Sequence, residues 1–355
     1  MRKRIVAVLV IVVVMLTACA NGHSVQFQET SAIPSTMESS EVPPAQAASP
    51  LPDWGSRWIV YWDLDFQEEL ASCQDSSDIL CYFSCFFDDD GDIYFPEGFS
   101  ELQEAAKDVP GVRYLSVTND LIYLQSGQTV QKDVGVLERI LADEDAMADC
   151  VGKLLAAAQD YPGLEFDFEN LKQQELWDQY SVFLGILSRE AEKCDKKIRV
   201  VLQCSAPVDE LALPENFSYS VMCYNLYGYH SGPGPKADIP FLKKTAKKFR
   251  NVPNISFALA TGGFVWNDSG AVSRALTYAQ AEELRQAHTA DAKRDRKSGA
   301  LHFTYSEGGE TFTVWYADTQ TLSCWQETID GVMGHHASYD FWRVGGNIPN
   351  EESFG

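Results

Sequence analysis

From Trp54 onward, short apolar runs alternate with longer stretches in which apolar residues recur every three or four positions. The first pattern predicts strands and the second amphipathic helices. Seven strands are predicted before residue 264: RWIVYWD (57–63), DILCYFSCFF (78–87), GVRYLSVTND (111–120), LEFDFE (164–169), KIRVVLQCSA (197–206), SYSVMCYNLYG (218–228) and NISFALATGG (254–263). Helices are predicted between them at 97–109, 136–161, 174–194 and 239–249. An eighth strand is predicted at ASYDFWRVGG (337–346). Repeated strand–helix alternation predicts an α/β fold with a helix-covered parallel sheet. An open doubly wound sheet and a closed barrel both fit, and the count of eight strands favours a (β/α)8 TIM barrel.

The rhythm breaks between residues 264 and 325. TYAQAEELRQAHTADAKR carries a helical pattern, and ALHFTYSEGGETFTVWYAD reads as a hairpin turning at Glu307-Gly-Gly. This segment is expected to be a small α+β insertion between strands seven and eight.

Before Trp54 the pattern is of another kind. Arg2-Lys-Arg4 precedes an apolar run from Ile5 to Leu16, and small residues follow. This is the layout of an export signal. The run, about 12 residues, is too short to span a bilayer comfortably. Its end, Leu16-Thr-Ala-Cys19, resembles the bacterial lipobox, which implies removal of residues 1–18 and lipid attachment at Cys19. The expected product is an exported lipoprotein held at the extracytoplasmic face of the membrane. Residues 19–53, rich in Ser, Pro, Ala, Gln and Glu, cannot bury enough apolar area to fold and are expected to form a tether. The globular part is expected over 54–355.

Composition supports a large core, with 45% hydrophobic and 12% aromatic residues in a chain of 355. A net charge of −23 argues against a nucleic-acid partner, which would need a basic face. It argues equally against loose adsorption to anionic lipid. Eight cysteines follow Cys19 without a CxxC pair. Export permits disulfides, but Cys85, Cys204 and Cys223 lie in strand-like segments and read as buried thiols.

The strand LEFDFE concentrates the candidate chemistry. Side chains alternate between faces of a strand, so Glu165, Asp167 and Glu169 share one face and Leu164, Phe166 and Phe168 the other. In a barrel the apolar set would lie under the helices, and the acids would point inward near the C-terminal mouth, where active sites of this fold sit. Carboxylates so close cannot all ionise freely, and one is expected to keep a proton near neutral pH. Glu169, nearest the mouth, is the expected proton donor.

At these residues the sequence resembles glycoside hydrolase family 18, the chitinase-like barrels. That family carries D-x-x-D-x-D-x-E on its fourth strand, and this chain has Pro162-Gly-Leu-Glu-Phe-Asp-Phe-Glu169. Asp167, Glu169 and Gly163 match, whereas Pro162 and Glu165 stand where the family has Asp. The family's M-x-Y-D appears as Met222-Cys-Tyr-Asn225, and its W-R-L-G as Trp342-Arg-Val-Gly345. The insertion is similar to that of bacterial spore-cortex and cell-wall N-acetylglucosaminidases.

The resemblance implies retaining, substrate-assisted hydrolysis of a β-1,4 bond after N-acetylglucosamine, in peptidoglycan, chitin oligomers or the N-glycan core. It implies Glu169 as acid and then base, Asp167 orienting the acetamide, and Glu165 sharing a proton with Asp167 from below. It places Tyr224 and Asn225 at the acetamide, Trp342 under the sugar, and Met222 in the pocket wall. No cofactor or metal is expected, and a monomer is. The alternative is a carbohydrate-binding lipoprotein without turnover on the same fold; the presence of Glu169 favours the enzyme.

Four other signals are set aside. FFDDDGDIYF does not have calcium-loop spacing and reads as a loop. Adjacent His335 and His336 point apart. Gly232-Pro-Gly-Pro235 lacks the context of a phosphate loop. DAKRDRK reads as one solvated basic stretch.

Overall fold

The computed structural model describes residues 55–64, 66, 69 and 79–347; the leader, Cys19, Cys73 and the tether to residue 53 lie outside them. Eight parallel strands run in chain order as β1 (Ser56–Val60), β2 (Ile79–Asp88), β3 (Val112–Tyr123), β4 (Gly163–Asp167), β5 (Lys197–Leu202), β6 (Ser218–Met222), β7 (Ile255–Leu259) and β8 (Ser338–Phe341). Each pairs with its neighbour in sequence, and β8 pairs with β1. The sheet is therefore closed, as the strand count predicted, and the open alternative is excluded.

Alternation along the strands builds two layers. Ile59, Leu115, Phe166, Val200, Phe257 and Phe341 face outward into the main core. Trp58, Tyr114, Val201, Met222 and Ala258 face inward. The helix Gln174–Lys193 shows how the outer layer forms, since its apolar residues recur every three or four positions. Phe183 meets the Phe166 ring at 5.9 Å, and Tyr180 meets Phe168 at 5.8 Å.

Several elements depart from the sequence reading. The helix expected over 136–161 is two helices, Val134–Ile140 and Glu144–Ala157. Asp143 caps the second, accepting from the Ala146 amide, and Glu144 and Asp145 in the first turn complement the helix dipole. The strands expected over 57–63, 197–206, 218–228, 254–263 and 337–346 end early, at Val60, Leu202, Met222, Leu259 and Phe341. Beyond Leu259 the chain turns at Gly262, φ 63°, where a Cβ would lie 2.2 Å from the Leu276 carbonyl oxygen.

Gly262 opens the insertion, a five-stranded antiparallel sheet in the order 272–276, 262–266, 310–317, 301–307, 293–294. The expected hairpin turns at Gly308 and Gly309, both in the left-handed region. Val265, Phe303, Val314 and Tyr316 form a core of its own. The helix there is confined to Tyr278–Ala287, with Thr277 and Gln280 in a capping box. The sheet ends at Ala317, and the helix Thr319–Met333 packs on the barrel helix Ile239–Phe249. The insertion thus spans 262–317, within two residues of the expected start and eight short of the expected end.

The FFDDDGDIYF segment, expected to be a loop, is a tight hairpin in which Phe86 and Phe87 pair antiparallel with Tyr94 and Ile93, and the Asp88 carboxylate accepts from the Asp90 and Asp92 amides at its turn. Among the described residues no acid, His and Cys cluster could hold a metal, and no helix is long and apolar enough to cross a membrane. The seven described cysteines are free; Cys85 and Cys223 are buried and Cys204 half-buried.

Candidate active site

β4 begins at Gly163, where the Tyr114 ring leaves no room for a side chain; a Cβ there would meet the ring at 2.4 Å. The strand then sends Glu165 and Asp167 into the barrel, and Glu169 follows two residues past its end. All three acids are buried. Leu164, Phe166 and Phe168 lie in the outer core, as strand parity predicted.

Glu165 sits deepest. Its carboxylate accepts from Trp58 Nε1 at 2.6 Å, Ser116 Oγ at 2.6 Å and Cys81 Sγ at 3.3 Å. Arg199 Nε lies 2.8 Å away. The same guanidinium reaches Asp340 at 2.5 Å, and Asp340 also accepts from Ser56, Ser220 and Ser256. Arg199 holds both acids by charge, lying in ion-pair contact with each. Burial lowers its pKa, but Asp340 and Glu165 more than offset this and raise it. The oxygens of Glu165 are thus occupied, and among the described residues no hydrogen bond joins it to Asp167. The proton sharing implied by the family resemblance has no such bond to run along.

Asp167 is in the opposite condition. Its Oδ1 is buried without a hydrogen-bond partner among the described residues. Burial first, and then the Glu169 carboxylate, push Asp167 well above the usual carboxylate range.

Glu169 is fixed at every polar atom. Asn119 Oδ1 accepts from its amide at 2.8 Å, and Asn119 Nδ2 donates to its carbonyl at 3.1 Å. Gln203 Nε2 donates to Oε2 at 3.0 Å, and Lys132 Nζ lies 2.5 Å from Oε1. Burial lowers the Lys132 pKa, and the facing Glu169 more than compensates, leaving it raised.

A cleft of about 550 Å³ opens over Asp167 and Glu169. Tyr224 and Trp342 stack at 6.2 Å with their planes 13° apart, and Phe83 meets Trp342 edge-on at 5.1 Å. Trp62, 52% exposed, extends this aromatic wall through Phe83. Burial, then Asp167 and Glu169, raise the Tyr224 phenol well above its usual value, so it stays a donor. Met222 is buried in the wall, and Asn225 is exposed at the lip, its Nδ2 3.5 Å from Met222 Sδ. The cleft therefore gathers Asp167, Glu169, Met222, Tyr224, Asn225 and Trp342, while Glu165 lies beneath it.

Sequence reading missed Lys132, Asn119, Gln203 and Arg199. Arg199 had a signal, an isolated cation on an inward position of an apolar strand. Gln203 sits just beyond the end of β5, and Asn119 follows Thr118, the last β3 residue paired with β4, both toward the end of the barrel where sites gather. Lys132 follows a short hairpin strand, Gln128–Val130, and has no local pattern.

The closed barrel is a fold found in solved chitinase structures. No protein-family model and no curated protein sequence matches the chain. Solved structures do. The spore cortex-lytic enzyme SleL of Bacillus cereus superposes with a TM-score of 0.68 at 19% identity, over 83% of this chain and 72% of that one. A class V chitinase from Pseudomonas fluorescens gives 0.66 at 15% identity, over 82% and 95%. A mutant class V chitinase from Nicotiana tobaccum, solved with NAG4, gives 0.61 at 13% identity, over 82% and 94%. Likeness at such identities establishes the shared fold.

Proposed function

We propose that the protein is a glycoside hydrolase that cleaves β-1,4 bonds in N-acetylglucosamine-containing glycans by a retaining, substrate-assisted route. The observation that carries this reading is Asp167. A buried carboxyl oxygen without a partner is costly unless a ligand satisfies it. Here it lies in a cleft with Glu169 and a stacked aromatic pair. Such a site suits a sugar whose apolar face stacks on Trp342 and whose acetamide N–H reaches Asp167. The solved likeness to a chitinase with bound NAG4 supports the same reading.

In the reaction, Glu169 gives its proton to the glycosidic oxygen as the C1–O bond breaks. The acetamide oxygen bonds to C1 from the opposite face, and Asp167 and Tyr224 hold the acetamide by its N–H and oxygen. Water then adds to C1 as Glu169 takes its proton, and the acetamide is released. Two inversions give net retention. This differs from the two-carboxylate scheme of most glycosidases. Glu165 and Arg199 form the fixed charged floor beneath Asp167. We place the protein outside the cytoplasm, tethered through a lipid on Cys19.

One observation favours the non-hydrolytic alternative: Glu169 rests in an ion pair with Lys132. A Glu169→Gln variant assayed on tetra-N-acetylchitotetraose and on peptidoglycan separates the two. The hydrolase reading expects wild-type cleavage and a loss of roughly 10²–10⁴-fold in the variant. Binding without cleavage by the wild type would establish the alternative.

A further inference from the structure

The ion pair at Glu169 is more constrained than a surface contact. Lys132 is in the left-handed region, φ 54°, which costs a non-glycine residue on the order of 1 kcal/mol. Its amide donates to Asp120 Oδ1 at 2.7 Å, and its carbonyl accepts from Asn170 Nδ2 at 3.0 Å. Asn119 ties the same segments together, donating to the Asp133 and Glu169 carbonyls. The root of the lysine side chain is therefore locked to the segment that carries Glu169. The side chain itself is 43% exposed, so truncating it removes little packing.

We propose that Lys132 is a positioning residue for Glu169, holding one carboxylate oxygen in place while Gln203 holds the other. This rests on the hydrolase reading above. The groups around Glu169 are Lys132 and Asp120 from β3 and its hairpin, Asp167 and Glu165 from β4, and Tyr224 beyond β6. Three are acids, Tyr224 stays neutral, and Lys132 is the cation among them. A cation at this distance holds Oε1 by charge. Removing it leaves that oxygen without its lysine partner.

The test uses full-length wild type, K132M and K132R on tetra-N-acetylchitotetraose. K132M is expected to lose kcat roughly tenfold through misplacement of the acid, with KM within about twofold. K132R, which keeps the charge, should restore kcat. An unchanged kcat in K132M, or a loss that K132R does not recover, overturns the proposal. A urea double-mutant cycle across K132M and E169Q reads the contact without turnover. Non-additive stabilities support the proposal, and additive ones overturn it. A wild type that cleaves nothing while the cycle stays coupled supports the contact and overturns the hydrolase reading.

Discussion

Arg199→Met should destabilise the barrel more than any single surface change. Arg199 is 3% exposed and lies between two carboxylates, Glu165 and Asp340, both at 0%. Removing one partner of a buried pair costs about 3–5 kcal/mol, because a buried charge is left uncompensated. Here two are stranded, which raises the cost. Each keeps neutral donors, Trp58, Ser116 and Cys81 on one and three serines on the other, which reduces it. A net loss of about 3–5 kcal/mol follows, against a total stability of about 5–15 kcal/mol. The lost contact with the Trp58 ring, 5.3 Å from the guanidinium, adds to it. Urea unfolding followed by circular dichroism measures the difference. Neutralising the stranded acids as well, in R199M/E165Q/D340N, should recover much of it. A single R199M variant within about 1 kcal/mol of wild type would refute the reasoning, since it would mean the buried acids need no countercharge.

Two further outcomes follow from the same geometry. Trp342→Ala removes the ring that stacks on Tyr224, and the loss of an aromatic contact of ~1.5–3 kcal/mol should lower kcat/KM on N-acetylglucosamine oligomers roughly 10–100-fold. Lys236, which donates to the Thr261 carbonyl, is lowered by burial and then by Arg343 from 10.5 to about 8. The unfolded state therefore binds more protons between these values, and stability rises with pH there; wild-type stability relative to K236M should climb from about pH 8 to about pH 10, and a flat difference in urea midpoints would contradict the assignment.

Much of the fold was legible because it rests on short-range periodicity. The apolar alternation of Leu164, Phe166 and Phe168 identified both the strand and the side of it that meets the helices. Boundaries were less legible where one side chain overrides the pattern. Asp143 starts a new helix inside an uninterrupted helical period, and Gly262 turns the chain out of a strand that reads as continuous. At the site, strand parity brought Asp167 and Glu169 to one face, but their surroundings come from other strands. Lys132 lies 37 positions before Glu169 and reaches it through a hairpin and a left-handed backbone turn. Likewise, the occupancy of Glu165 depends on Trp58, Cys81, Ser116 and Arg199, from four different strands. Pairwise contacts of that kind leave no periodic trace.

The most direct measurement is the anomer first released from tetra-N-acetylchitotetraose, followed by proton NMR before mutarotation. Cleavage at Glu169 with the acetamide as nucleophile predicts the β-anomer first, and none from the E169Q variant. Release of the α-anomer first, or no release by the wild type, would contradict it.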